Sequence, residues 1–230
     1  GTVSLALLLG MCFQLLNHSS PITSDQGQFD IVRGDSLTSV AWRLAKQGLV
    51  QNPQLLIVYA RITKQTNIKR GEYQLHESNS DLSLLKTLLS GDVVSRSVTL
   101  IEGMTFKQAL AVLHKQQGLT HVLSGQSMSQ VAHKLNINSG HYEGWVFPDT
   151  YQYTKDMSDL DILKIAYQRM QEILQQQWAQ REKDLPYDSP YEALIMASII
   201  EKETGAAFER PQIAGVFVRR LQKGMRLQTD

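Results

Sequence analysis

From residue 29 onward the chain alternates short β-like stretches with helix-like ones, and glycine or proline marks most of the changes of period. Residues 29–32 read as a short alternating strand, followed by Gly34-Asp35 and a helix over 36–47 with Leu37, Val40, Ala41 and Leu44 on one face. Asp35 or Ser36 caps that helix, and Gly48 ends it. A second helix from 53 to about 66 carries Leu55, Leu56, Val58, Tyr59 and Ile62, and residues 71–75 return as a strand. The predicted order is strand, helix, helix, strand.

The leucine-rich helix over 80–90 follows, capped by Ser80 or Asp81 and stopped by Gly91. A strand over 93–101 then leads through Glu102-Gly103 into a helix over 106–117. A short helix over 127–135 puts Met128, Val131 and Leu135 on one face, and a long polar helix runs from 159 to about 183. At an offset of 69 residues Gly34 aligns with Gly103, Ser36 with Thr105, Leu37 with Phe106 and Leu44 with Leu113. Two readings remain open: a weak internal repeat, or the same helix-start chemistry used twice.

Two stretches stand outside this regular pattern. Residues 143–153 are dense in aromatic side chains and bounded by Gly144 and Pro148. Rings beside Asp149 and Thr150 suit a sugar, whose C–H faces pack on aromatics while its hydroxyls take hydrogen bonds. The alternative is an irregular loop pinned to the core by its rings. Phe147, Asp149 and Tyr151 are its candidate sugar contacts.

The second stretch is 191–205, an apolar helix that runs into Glu201 and Glu203 and stops at Gly205. Leu194, Ile195, Met196, Ala197, Ile199 and Ile200 leave almost no polar face at 100° per residue, so the helix is expected to be buried. A carboxylate there either finds a cationic partner, Lys202 or a distant arginine, or keeps its proton and serves as a general acid. Spacing alone does not choose between the two glutamates.

At the other end, residues 3–16 are uncharged and mostly apolar, a little short of the roughly 20 residues that span a bilayer. The expected reading is a single membrane anchor over 1–17 with a polar linker over 18–27. A cleaved signal and a buried core helix are the alternatives.

With 230 residues, 42% hydrophobic and 20% charged, the chain can bury more than one compact core. A formal net charge of +1 without any basic run excludes phosphate-neutralising nucleic-acid binding. Cys12 is the only cysteine, and the six histidines lack metal-ligand spacing, so no metal or cofactor is expected.

The words Val32-Arg33-Gly34-Asp35-Ser36-Leu37 and Val40-Ala41, set in the strand, helix, helix, strand order, resemble the LysM module. That resemblance implies binding of N-acetylglucosamine-containing glycans, or a purely positioning role. Further on come Gly144-Trp145-Val146-Phe147-Pro148-Asp149-Thr150-Tyr151 and Ala197-Ser198-Ile199-Ile200-Glu201-Lys202-Glu203-Thr204. Glu209-Arg210-Pro211-Gln212-Ile213-Ala214-Gly215-Val216-Phe217 and Gly224-Met225-Arg226-Leu227-Gln228-Thr229-Asp230 complete the set. Together these four ordered words resemble the YceG-like family.

The resemblance implies an α+β chain in which a small LysM-like βααβ module and connecting helix, 28–100, precede a mixed α/β transglycosylase domain, 101–230, behind an N-terminal transmembrane helix. It implies an enzyme of the inner membrane that faces the periplasm beside peptidoglycan synthases and cleaves peptidoglycan strands internally without a cofactor. It selects Glu201 as catalytic acid and then base, and adds Glu209, Gln228 and Asp230 to the residues facing substrate. The family pattern has Asn where this chain has Arg219, and it continues past Asp230. A membrane-tethered glycan-binding scaffold without catalysis is the alternative function, and an ordinary hydrolase a third.

Overall fold

The computed structural model describes residues 10–11, 13–17, 27–75, 80–137 and 141–228. The expected anchor over 1–17 and linker over 18–27 lie mostly outside them. Of the anchor's described residues, Leu16 is buried with the core of the first unit, whereas Met11, Phe13 and Leu15 are exposed. No helix among the described residues is long and apolar enough to cross a membrane. The chain divides into two compact units, residues 1–96 with 154–156, and residues 97–153 with 157–230.

In unit 1, β1 (Gln28–Ile31), α1 (Leu37–Lys46), α2 (Pro53–Ile62), β2 (Gly71–Gln74) and α3 (Asp81–Ser90) follow in order. The two strands pair antiparallel, Gln28 opposite Gln74 and Ile31 opposite Gly71. Ser36 is the residue that caps α1, exchanging hydrogen bonds with Ser39 in a capping box. Asp35 instead takes both guanidinium arms of Arg43, at 3.0 and 2.9 Å, and accepts the Val32 N–H, so it fastens the turn to the helix. Leu37, Val40, Ala41 and Leu44 are buried as their spacing predicts. Tyr73 is fully buried, with its hydroxyl donating to the Lys69 carbonyl at 2.7 Å, and burial pushes the phenol up to about 12. The second helix stops four residues short of expectation, because Lys64 turns the chain at φ 58° just after it.

Unit 2 opens with β3 (Arg96–Leu100), α4 (Phe106–Leu113), α5 (Met128–Lys134), β4 (Asp149–Tyr153) and α6 (Asp159–Ala179). Strands β3 and β4 form its sheet. Phe106, Leu113, Leu123, Val131, Ile162 and Leu163 form a core in which none is more than 2% exposed, so truncating any of the larger ones costs about 2–5 kcal/mol. Strand β4 falls inside the aromatic stretch that reads as a loop. From Thr150 on it alternates, Tyr151 and Tyr153 buried and Thr150 and Gln152 exposed, a period of two hidden by the density of rings.

Both units therefore run strand, helix, helix, strand, helix, and the likeness extends to chemistry. Thr105 caps α4 with a capping box as Ser36 caps α1, and the turns before them hold Gly103 at φ 71° and Gly34 at φ 95°. In each unit the last of these helices begins with a buried aspartate behind a serine cap. Asp81 accepts the N–H groups of Gln51 and Asn52 at 3.0 and 2.9 Å; Asp159 accepts those of Val122 and Leu123 at 3.0 and 3.2 Å. Two buried carboxylates tying down the same loop favour the internal repeat over two unrelated helix starts.

Unit 2 continues into α7 (Pro190–Glu203) and α8 (Arg210–Gln222). Ser189 caps α7, with Pro190 at its first position and Glu192 in its first turn. The expected burial of this helix is not found: Met196 is its only buried residue, and Ile195 is 44% exposed. An all-round apolar helix needs neighbours on every side, and α7 has α6 and α8 as its principal helical ones among the described residues.

Candidate active site

The last turn of α7 carries the two carboxylates, and their surroundings separate them. Glu203 is exposed; the Glu201 side chain is 27% exposed and its Oε2 lies 2.9 Å from an Nη of Arg210. The expectation of a buried helix is thus corrected at its carboxylate end too. The partner is the distant arginine rather than Lys202. It starts α8, and its Nε is buried with no hydrogen-bond partner among the described residues.

The turn between α7 and α8 brings this pair together. Thr204, in extended backbone at φ −147° and ψ 137°, ends α7 in place of Gly205. Its buried hydroxyl donates to Glu209 at 2.6 Å and accepts the Ala206 N–H at 3.0 Å, closing the turn that starts α8. Glu209, which could have paired with Arg210, is held by this threonine instead.

The aromatic stretch packs against the first half of the same helix. Trp145 stacks on Tyr191 with centroids 5.4 Å apart and planes 8° apart. Gly144, at φ 83°, leaves room for Leu194: a Cβ there would come 3.3 Å from the leucine Cδ2. The Glu143 carboxylate accepts the Phe106 N–H at 2.8 Å, joining the stretch to the start of α4.

Of the candidate sugar contacts, Tyr151 belongs to the core. It is 6% exposed and its hydroxyl donates to the Phe147 carbonyl at 2.6 Å. Phe147 is half-buried, bonded through its N–H to the Ala166 carbonyl and covered by Arg169 at 5.9 Å. These two pin the loop, while Asp149 is exposed and accepts the Thr150 N–H. Gln228 sits at the far end of α8, its amide oxygen 3.4 Å from Arg220, which lies about 15 Å along the helix axis from Arg210. Asp230 lies outside the described residues. Arg219 folds back over Gly215 on its own helix, where an added Cβ would be 3.4 Å from its Nη1. The structure thus brings Glu201, Thr204, Glu209 and Arg210 together and leaves the aromatic stretch and Gln228 elsewhere on unit 2. Arg210 is the residue the sequence reading missed as a partner of Glu201; its place straight after Glu209 was the available signal.

Burial pushes the Tyr151 phenol up to about 12 from its ordinary 10, with Asp149 adding to the rise and Arg169 opposing it. The unfolded phenol loses its proton first, so this contribution to stability is complete below about pH 10 and is lost as pH rises toward about 12. Chemical unfolding followed across that range is expected to show unit 2 weakening, and Tyr151→Phe is expected to flatten the slope while costing about 1 kcal/mol for the lost hydrogen bond at neutral pH.

Among the described residues, a surface groove is found in each unit. One of about 290 Å³ in unit 1 lies between the β1–α1 turn, at Asp35 to Thr38, and the segment of Thr66, Asn67 and Ile68, with Arg61. One of about 420 Å³ in unit 2 runs along α4 from the Glu102-Gly103 turn and reaches Lys202, the residue after Glu201.

Such an arrangement, a half-buried carboxylate with a cationic partner, next in the chain to a residue that lines an open groove, is that of a site able to move a proton to and from a substrate oxygen. The chain belongs to the YceG-like family, which it matches over residues 29–230. It is 28% identical to an endolytic murein transglycosylase of Streptococcus pneumoniae, over 94% of this chain and 44% of that protein. It is 26% identical to an endolytic murein transglycosylase of Bacillus subtilis, over 87% of this chain and 60% of that one. The chain spans about half the length of these curated relatives. A crystal structure of a YceG-like protein from Listeria monocytogenes is 25% identical, covering 88% of this chain and 72% of that one with a TM-score of 0.42.

Proposed function

We propose that this chain is part of an endolytic peptidoglycan transglycosylase in which Glu201 acts first as acid and then as base. The observation that carries this is the place of Glu201: last turn of α7, half-buried, beside Arg210 and one residue from an open groove. In the first step the protonated carboxyl gives its proton to the glycosidic oxygen between N-acetylmuramic acid and N-acetylglucosamine, and the C1–O bond breaks. In the second the carboxylate takes the proton of the muramic C6 hydroxyl as that oxygen closes on C1. Ring closure replaces attack by water, so one carboxylate suffices where ordinary glycosidases use two. The Arg210 guanidinium, 2.9 Å from Glu201, stabilises the carboxylate form that exists between the steps.

Asp149 and Glu209 remain candidate sugar contacts, with Gln228 and Asp230 set by family resemblance. Unit 1 is the LysM-like glycan-binding module, its groove beside Ser36 and Asn67 taking the strand, and residues 1–17 tether the protein in the inner membrane with its catalytic part in the periplasm, near the synthases that supply new strands.

The scaffold alternative makes a different forecast. In the full-length protein, deletion of residues 28–76 is expected to weaken sedimentation with insoluble peptidoglycan about tenfold, yet leave measurable strand cleavage. Loss of binding with cleavage absent even from the undeleted protein would favour the scaffold.

A further inference from the structure

The groove of unit 2 has a chemistry that the acid-base step does not use. Its floor is apolar, from Met104, Ala111 and Val112, and its rim carries Lys115 and Lys202. Neither lysine is in an ion pair among the described residues. Glu102 lines the same groove, so two cations face one anion. Lys202 lies against the β3–α4 turn, where Gly103 at φ 71° gives it room: a Cβ at this position would stand 3.2 Å from the lysine Nζ. An aliphatic trough edged by unpaired ammonium groups suits a ligand with small apolar side chains and carboxylates.

We propose that this groove binds the acidic peptide carried by the muramic sugar, with Lys115 and Lys202 as the residues that select peptide-bearing over stripped glycan strands. The proposal rests on the transglycosylase reading and deepens it. The bond assigned to Glu201 is at C1 of the muramic sugar, and the peptide hangs through a lactyl ether from C3 of the same ring. The lining of the groove includes Lys202, the residue that follows the acid in the chain, and that substituent is assigned to it. The apolar floor takes its alanine methyl groups, and the lysines take its carboxylates.

The test separates binding from catalysis. Full-length protein carrying Glu201→Gln is titrated with short glycan strands that keep their peptides and with the same strands stripped by an amidase. Lys115→Met and Lys202→Met are each expected to weaken binding of the peptide-bearing strands about tenfold and to lower its salt dependence, leaving the stripped strands unchanged. Lys202→Arg, which keeps the charge, is expected to restore most of the loss. An equal loss on both ligands, or no loss on either, overturns the proposal. If the peptide preference holds but the protein with Glu201 intact yields no cleaved strands, the groove assignment stands and the transglycosylase reading falls.

Discussion

Replacing Glu201 by glutamine in the full-length protein is expected to lower the release of cleaved glycan strands by about 10³-fold or more, since a group that serves as both acid and base is lost from both steps. The substitution keeps the size of the side chain and an oxygen able to accept from Arg210, and the position is 27% exposed, so the fold should survive. Binding to peptidoglycan is therefore expected to persist while turnover disappears. Glu203→Gln is the matching control. That carboxylate is exposed on the same helical turn, and its loss is expected to change turnover less than threefold, whereas comparable losses at both positions would remove the distinction drawn between them.

The largest effect on stability is expected at Asp159. Its side chain is fully buried, its two oxygens accept the N–H groups of Val122, Leu123 and Leu160, and His114 Nε2 lies 3.0 Å away. Asp159→Ala removes the shared acceptor of those donors and is expected to cost about 3–5 kcal/mol. Hydrogen exchange should locate the loss: the Val122, Leu123 and Leu160 amides lose protection, whereas the core of unit 1 around Leu44 and Tyr73 keeps it. Unchanged exchange at those three amides would show that the carboxylate does not hold the loop. Asp81 does the same for unit 1 through Gln51 and Asn52, with fewer ligands, and a smaller cost is expected there.

Where the sequence was legible, local chemistry decided the structure. Ser36, Ser80, Thr105, Ser127 and Ser189 each cap the helix that follows, because a hydroxyl next to an apolar period meets an orphan N–H whatever the rest of the chain does. The α1 and α4 faces were readable for the same reason. Strand β4 was not, since Tyr151 and Tyr153 look like ligand-facing rings until the sheet turns them inward. Nor was the environment of α7: its composition predicts burial on all sides, but burial depends on what lies beside a helix, and composition does not say. The site was half legible. The motif singled out Glu201, whereas its pairing with Arg210 depends on how Thr204 folds the turn between two helices, a tertiary fact with no period in the sequence.

The central claim is that the substrate's own C6 hydroxyl, rather than water, ends the reaction at Glu201. Mass spectrometry of the strand ends left by the full-length protein on peptidoglycan tests it directly. The account predicts 1,6-anhydro-muramic ends that vanish with Glu201→Gln; reducing ends carrying the mass of an added water would contradict it.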